Sequence, residues 1–527
     1  MRFHPLSRAL IAACLLSFGL AAQPAALPAK ATPHVFFRVV LGANFTESQS
    51  GRLLLFLAKG GSKASVDTNP FAPQDVSVAA KEVHGLAPGG AVEIDTDDIA
   101  FPAGFSHLAP GGYSAQAVLD LRHDYNYVGR APGDPISQVT SLTHFAPGAM
   151  AEPVLTLNST VPESAPAQED ERARKAIHAE DFVSPALSRF WGRAVHMRCW
   201  VVEPPGYKEH PGVRYPAVYY THGFGGNLAR IRPVAGDVYQ RMAEKKMPAM
   251  IWILLDESLP TGTHEFADSV NNGPWGKALT SELIPYLESR YRLDARDGAR
   301  FLNGHSSGGW ATLWLQVTYP KIFGGTWSTS PDSSDFHDFT GPDLYASHAN
   351  VYHRPDGSSY PLVRNNGKVV ASFEEFARLE GVLGPYGGQF ASFEWVFSPR
   401  GADGRPTPMF DRVTGDVDAA VVRAWQKYDI ARTLEANWPL LSPNLNGKIH
   451  VIVGTADTFY LDGAAHKLKA VLDRLGANAQ VTFLEGRTHF DLYKVDADPR
   501  GLMDQIAARM YQTWKSSLSV SKAAGRE

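Results

Sequence analysis

Arg300-Phe-Leu-Asn303-Gly304-His305-Ser306-Ser307-Gly308-Gly309-Trp-Ala-Thr-Leu-Trp-Leu-Gln316 is the stretch on which the fold turns. An apolar run enters a turn of small residues, and a helix-forming run leaves it. This order makes a sharp strand-to-helix elbow, which lifts a serine Oγ above a sheet while the small residues let the backbones approach. It also places Ser306 at a helix N-terminus, where the dipole favours developing negative charge. Gly-x-Ser-x-Gly alone fits an ordinary glycine-rich turn equally well. The strand before it and the helix after it select Ser306 as a nucleophile.

Working outward, apolar strands are expected at 215–220, 249–255, 299–302, 448–453 and 480–484. Helical patterns lie at 277–291, 307–318, 464–475 (closed by Gly476) and 502–514. Continuously apolar strands alternating with helices predict an α/β domain whose parallel sheet is covered on both faces. Residues 328–430 interrupt this rhythm with Asp, Gly, Pro and aromatics, and a segment of that length is expected to be a lid or cap.

A serine hydroxyl needs a histidine base, itself oriented by a carboxylate. Behind such an elbow the chain order is Ser, acid, His. Asp457, in Gly454-Thr-Ala-Asp457, and His489, in Gly486-Arg-Thr-His489, each follow a strand on the crevice side of the sheet. Asp462 and Asp491 are the competing acids. Thr221-His222-Gly223-Phe224-Gly225-Gly226 follows the strand at 215–220, so the Phe224 N–H and the Ser307 N–H are the expected oxyanion donors. Asp268, Ser269, Asn271 and Trp275, on a loop expected to overhang the nucleophile, are candidate substrate-binding residues. The alternative is a loop that uses Asn and Asp for turns, with Asp268 as a helix cap. Residues 330–338 are placed to reach the same site. The aromatics Phe336, Tyr345, Tyr352, Phe393 and Trp395 are read as the core of the insertion. His337, His348 and His353 follow no ligand spacing, so neither a metal nor another cofactor is expected.

Toward the N-terminus, 33–160 has period two, with short strands between Gly/Pro turns and the turn Leu86-Ala-Pro-Gly-Gly90 recurring at 108–112. That pattern predicts a small all-β domain, an immunoglobulin-like sandwich. Residues 161–182 read as a linker and 183–520 as the catalytic domain. Residues 1–26, with Arg2 and Arg8 before an apolar run too short to span a bilayer, read as a signal peptide, giving an exported, periplasmic or extracellular protein without a membrane span. With 50 Lys+Arg against 54 Asp+Glu there is no basic field for nucleic acid, and two cysteines exclude a disulfide framework.

The stretches Gly206-Tyr207, 214–226, 281–292 (with Glu282-Leu-Ile-Pro285), 304–309 and the Asp457 and His489 loops together resemble the "putative esterase" family, across roughly 195–514. That group covers esterase D, feruloyl, acetyl xylan and enterochelin esterases and the antigen 85-type mycolyltransferases. The resemblance implies an α/β-hydrolase fold, Ser306 as nucleophile, His489 as base, Asp457 as acid, and Phe224 and Ser307 as oxyanion donors. The implied activity is a secreted serine esterase working through an acyl-enzyme on a small-molecule or polysaccharide-linked ester. Acyl transfer to an alcohol is the alternative within the fold. A prolyl-oligopeptidase-like peptidase is a third reading, although 33–160 is too short for a propeller. A non-catalytic polysaccharide-binding protein is the fourth, opposed by the complete triad. Oligomeric state is not legible.

Overall fold

The computed structural model describes residues 33–60, 63–163 and 170–524. The signal-peptide reading falls on residues outside these. An eight-stranded sheet carries the catalytic region, in the order 177–183, 196–202, 251–255, 217–221, 300–305, 325–329, 449–454, 480–484. The second strand, 196–202, runs antiparallel to both its neighbours and every other pairing is parallel. Helices cover both faces, as continuously apolar strands such as Ile251–Leu255 require. This is the arrangement of an α/β-hydrolase fold.

Three strands, 177–183, 196–202 and 325–329, and one helix differ from the sequence reading. Ile177–Val183, expected as linker, is the edge strand of the sheet, in register with His196–Val202. Gly325–Thr329 is wholly buried although rich in Ser and Thr. Two of its three hydroxyls are satisfied internally, Ser328 Oγ donating to Gly309 O at 2.7 Å and Thr329 Oγ1 to Gly304 O at 2.7 Å. Hydrogen bonding thus replaces the apolar signal that a sequence pattern detects. The helix expected at 277–291 is a short α-turn, Trp275–Ala278, a π-helical stretch, Leu279–Leu283, and a further α-helix, Ile284–Arg290. Pro285 has no N–H to give, and the wider spacing takes up the break.

Residues 328–430 have no separate core. They contain the hairpin Pro361–Asn365/Lys368–Ser372 and the helices Phe373–Leu383, Gln389–Phe397 and Ala419–Trp425. Phe336, Phe373, Phe393, Phe397 and Trp425 join Trp310 and Trp314 of the elbow helix, Ser307–Thr318, in one cluster that extends to Val451 in the sheet. The stacked pair Trp310/Trp314, at 5.4 Å, and the Trp310–Phe397 contact, at 5.0 Å, form that joint.

N-terminally, nine strands form a sheet in the order 91–95, 36–41, 154–160, 135–137, 111–120, 49–59, 76–86, 100–101, with 140–145 also on 111–120. Alternate side chains, among them Phe37, Val39, Leu53, Leu55, Ala117 and Leu155, fill one core. Strand Gln49–Lys59 departs from period two because its opposite face is also buried. Leu54, Phe56 and Ala58 pack with Val78 and Val118 against Leu379, Val382 and Leu383 of the helix Phe373–Leu383. Arg52 completes this joint. Its Nη1 bonds Glu82 at 2.7 Å, and its Nε and Nη2 donate to Val382 O at 3.0 and 2.7 Å, placing a cation on the last carbonyls of the helix.

All 11 tryptophans lie after residue 183, so their fluorescence reports only the catalytic region. Phe56→Ala, a truncation in the β region, is expected to cost about 3–5 kcal/mol. It should shift the tryptophan-detected urea transition, because both regions unfold as one unit; an unshifted transition would show them independent.

Candidate active site

Ser306 adopts φ 61°, ψ −127°, the left-handed half of the map that a side chain tolerates only when its surroundings enforce it. The enforcement is close packing. A Cβ on Gly304 would lie 2.1 Å from Gly308 O, and one on Gly308 would lie 2.4 Å from His222 O. The elbow backbone is tied to its neighbours by Ser306 N–H to Thr329 O at 3.0 Å.

His489 Nδ1 lies 2.9 Å from Asp457 Oδ2. A carboxylate only accepts, so the ring carries its proton on Nδ1, and Nε2 is left with a lone pair. Asp457 is fully buried, and its Oδ1 takes the Phe459 N–H at 2.9 Å. Burial opposes its ionisation, but the attraction of the His489 ring and these hydrogen bonds outweigh burial and hold the carboxyl below its ordinary range. Of the competing acids, Asp462 is paired with Arg364 at 2.9 Å, and Asp491 accepts the Thr488 N–H at 2.6 Å. Neither meets His489. The ring of His305 packs 4.3 Å from that of His489, and burial pushes its pKa down to about 3, so a neutral ring abuts the base.

The oxyanion loop, 222–227, is set by His222. The Glu257 N–H donates to His222 Nε2 at 3.1 Å, which leaves the ring proton on Nδ1, and this donates to Gly223 O at 2.9 Å. Phe224 and Ser306 line the same cavity, and Ser307 begins the elbow helix, whose first N–H groups have no intrahelical partner. Sequence reasoning missed the part played by His222, whose signal was its place beside the first glycine of the loop.

The sequence placed residues 330–338 near the site without singling out Asp332. Asp332 is buried beside the nucleophile and accepts from Ser307 Oγ at 2.6 Å. Burial raises its pKa to about 6, against the pull of hydrogen bonds from Ser307 and Ser306. Glu257 and Glu265, also buried, are pushed well above the ordinary carboxylate range, first by burial and then by neighbouring negative charge. Three buried carboxyls with raised pKa thus lie close to Ser306 and the loop 222–227.

The four residues expected to bind substrate do not line the cavity; Ser269 and Asn271 anchor the insertion, and the side chains of Asp268 and Trp275 hold the loop and its surroundings. Asp268 Oδ1 takes the Lys277 N–H at 3.0 Å, and its Oδ2 takes the Tyr319 hydroxyl at 2.9 Å. Ser269 Oγ donates to Trp395 O at 3.0 Å, and Asn271 Nδ2 donates to Ser398 O at 2.9 Å. Trp275 stacks on His264 at 3.7 Å and donates to Asn272 O at 2.9 Å. Turn and cap chemistry explains the polar residues of this loop. His337 meets Asp335 and Asp429, with ligand atoms within 4.8 Å of one another. The group already serves local structure, Asp429 Oδ2 taking the Phe336 N–H at 3.0 Å and the Tyr345 hydroxyl at 2.7 Å.

A cavity of about 640 Å³ opens on Ser306 and His489. Three parts of the chain wall it: the β region with Tyr125 and Tyr127, the insertion with Leu379 and Phe390, and the catalytic loops with Phe224 and Phe459. No helix among the described residues is long and apolar enough to cross a membrane.

A family model described as "Putative esterase" matches residues 194–522. No curated protein matches the chain. Among solved structures, a ferulic acid esterase matches at 13% identity and TM-score 0.41, over 64% of this chain and 98% of its own. An S-formylglutathione hydrolase from Agrobacterium tumefaciens matches at 15% identity and TM-score 0.38, over 64% and 95%. A ferulic acid esterase from Anaeromyces mucronatus matches at 14% identity and TM-score 0.32, over 63% and 89%.

Asp457→Asn is expected to lower kcat by about 10⁴-fold, because the amide no longer holds the base in its working tautomer. Asp462→Asn should leave kcat within about threefold, since ion pairs of this kind contribute little; steady-state kinetics on any turned-over ester ranks the two. For Asp332 the folded pKa is raised, so wild-type stability declines as pH climbs from about 4 through about 6 and the buried group must ionise. Asp332→Asn removes that titration. Its stability relative to wild type should therefore improve across this window in denaturation curves taken at each pH, and a pH-independent difference would contradict the assignment.

Proposed function

The chain belongs to the "Putative esterase" family and is a carboxylic ester hydrolase; on that premise we propose that Ser306, His489 and Asp457 perform the hydrolysis through an acyl-enzyme. His489 Nε2 takes the Ser306 proton as Oγ attacks the ester carbonyl, and Asp457 stabilises the imidazolium that results. The oxyanion is held by the N–H groups of Ser307 and Phe224. His489 then protonates the leaving alcohol, and water attacks the acyl-enzyme by the same route in reverse. The observation that carries this reading is the buried Asp457–His489 pair, at 2.9 Å, beside a serine held at φ 61°.

The substrate we assign is an ester with a bulky apolar acyl group. A cavity of about 640 Å³ lined by Leu362, Phe376, Phe390 and Phe393 excludes water from such a group. On this reading residues 328–430 are the lid that roofs the cavity, and 33–160 is an immunoglobulin-like sandwich that forms one of its walls. Residues 1–26 direct export to the periplasm or the medium.

An ester panel graded by acyl size, with a common p-nitrophenol leaving group, tests the proposal. kcat/KM should rise from acetyl to larger apolar acyl groups. Ser306→Ala should lose about 10⁴-fold or more in kcat on every ester; equal turnover by both proteins would remove Ser306 from the chemistry.

A further inference from the structure

The oxyanion loop carries three glycines among its six residues, 222–227, and glycine backbone is costly to hold in one conformation. An oxyanion donor works only when fixed about 2.7–3.1 Å from the developing charge. His222 fixes the inner side of this loop, and the outer side is fixed by the β region. The one-turn helix Tyr125–Val128 lies across it. Tyr127, buried, sets its ring edge-to-face against that of Phe224, with centroids 5.0 Å apart, and its hydroxyl donates to Gly226 O. Gly225, at φ 78°, leaves only 3.3 Å between a would-be Cβ and Tyr127 O. Arg230, in the first turn of the following helix, donates to Gly225 O at 2.8 Å and to Val128 O, lacing the same two segments.

The clamp is itself held. Asp120 Oδ2 takes the Tyr125 N–H at 2.9 Å, and Asn126 Nδ2 donates to Glu380 O at 2.8 Å and Gly384 O at 3.2 Å. The β region reaches the base as well, Phe71 packing against Phe490 at 5.4 Å and Phe459 at 6.2 Å, two rings that flank His489. An appended substrate-binding module would need none of these contacts.

We propose that the N-terminal β region is a working part of the active site, and that Tyr127 is a positioning residue which holds the Phe224 N–H at the oxyanion. The inference rests on the hydrolytic reading of Ser306 and Phe224 given above. Tyr127 acts through the loop and touches no reacting atom in this role, so its contribution belongs to the transition state.

The experiment compares Tyr127→Ala and Tyr127→Phe with wild type on the best ester of the panel, and with a trifluoromethyl ketone of matched acyl group, which adds to serine and forms an oxyanion. Loss of an oxyanion donor costs about 10²–10³-fold in kcat, so its misplacement in Tyr127→Ala should cost about 10–100-fold. The loss should appear in kcat more than in KM, and ketone affinity should fall by the same factor as kcat/KM. Tyr127→Phe keeps the ring against Phe224 and loses only the hydrogen bond to Gly226, so it should recover most of the activity. Arg52→Met loosens the same interface away from the loop and should leave kcat unchanged. Tryptophan fluorescence melts identify any variant that has failed to fold, and Tyr127→Phe carries the test if Tyr127→Ala has. Wild-type kcat in Tyr127→Ala, a loss of kcat with undiminished ketone affinity, or an equal loss in Arg52→Met would each overturn the inference. Those outcomes are separate from failure of the hydrolytic reading, in which Ser306→Ala would match wild type.

Discussion

A serine held at positive φ between glycines that have no space for a Cβ is the constraint around which this molecule is arranged. Gly308 lies so close to the 217–221 strand end that a methyl group would collide with the carbonyls of Thr221 and His222. The elbow helix and the oxyanion strand are therefore in backbone contact, and the loop that follows Thr221 has one direction to take: over Ser306. The helix beginning at Ser307 points its free N–H groups at the same spot. Close packing, rather than any single hydrogen bond, thus brings Ser306, the start of the elbow helix and the glycine-rich loop together.

What that arrangement lacks is rigidity in the glycine-rich loop and a wall against solvent. Both come from segments distant in sequence. His222 braces the loop from within through its bonds to Glu257 N and Gly223 O. The insertion is welded to the elbow helix through Trp310, Trp314 and Phe397, and the β region is sealed onto the insertion by Phe56, Arg52 and Leu383. Burial on this scale also shapes the electrostatics. Asp457 keeps its charge because His489 and backbone N–H groups compensate it, whereas burial outweighs the compensation at Asp332, Glu257 and Glu265 and shifts them upward.

The sequence was most legible where a local pattern and a chemical need coincide. The elbow, the Asp457 turn and the His489 turn each follow an apolar strand, and they converge as their order along the chain implies. It was least legible where polarity is internally satisfied. The Gly325–Thr329 strand hides its burial behind hydroxyls bonded to the elbow, and Ile177–Val183 looks like a linker because it is an edge strand with solvent on one side. Asp268, Ser269 and Asn271 attract a binding assignment because the same side chains that grip substrates also make turns. Nothing local distinguishes the two uses; the distinction is the position of Trp395 and Ser398 on the insertion.

By itself, then, the sequence determined five of the eight strands of the catalytic sheet, the elbow and the three residues read as nucleophile, base and acid, because each is a short-range pattern imposed by backbone sterics and strand or helix periodicity. Tertiary structure alone decided that the β region and the insertion close around one cavity, that Tyr127 bears on Phe224, and which carboxyls burial shifts upward. These depend on contacts between residues distant along the chain, and on the loss of water around them. Neither leaves a periodic trace along the chain.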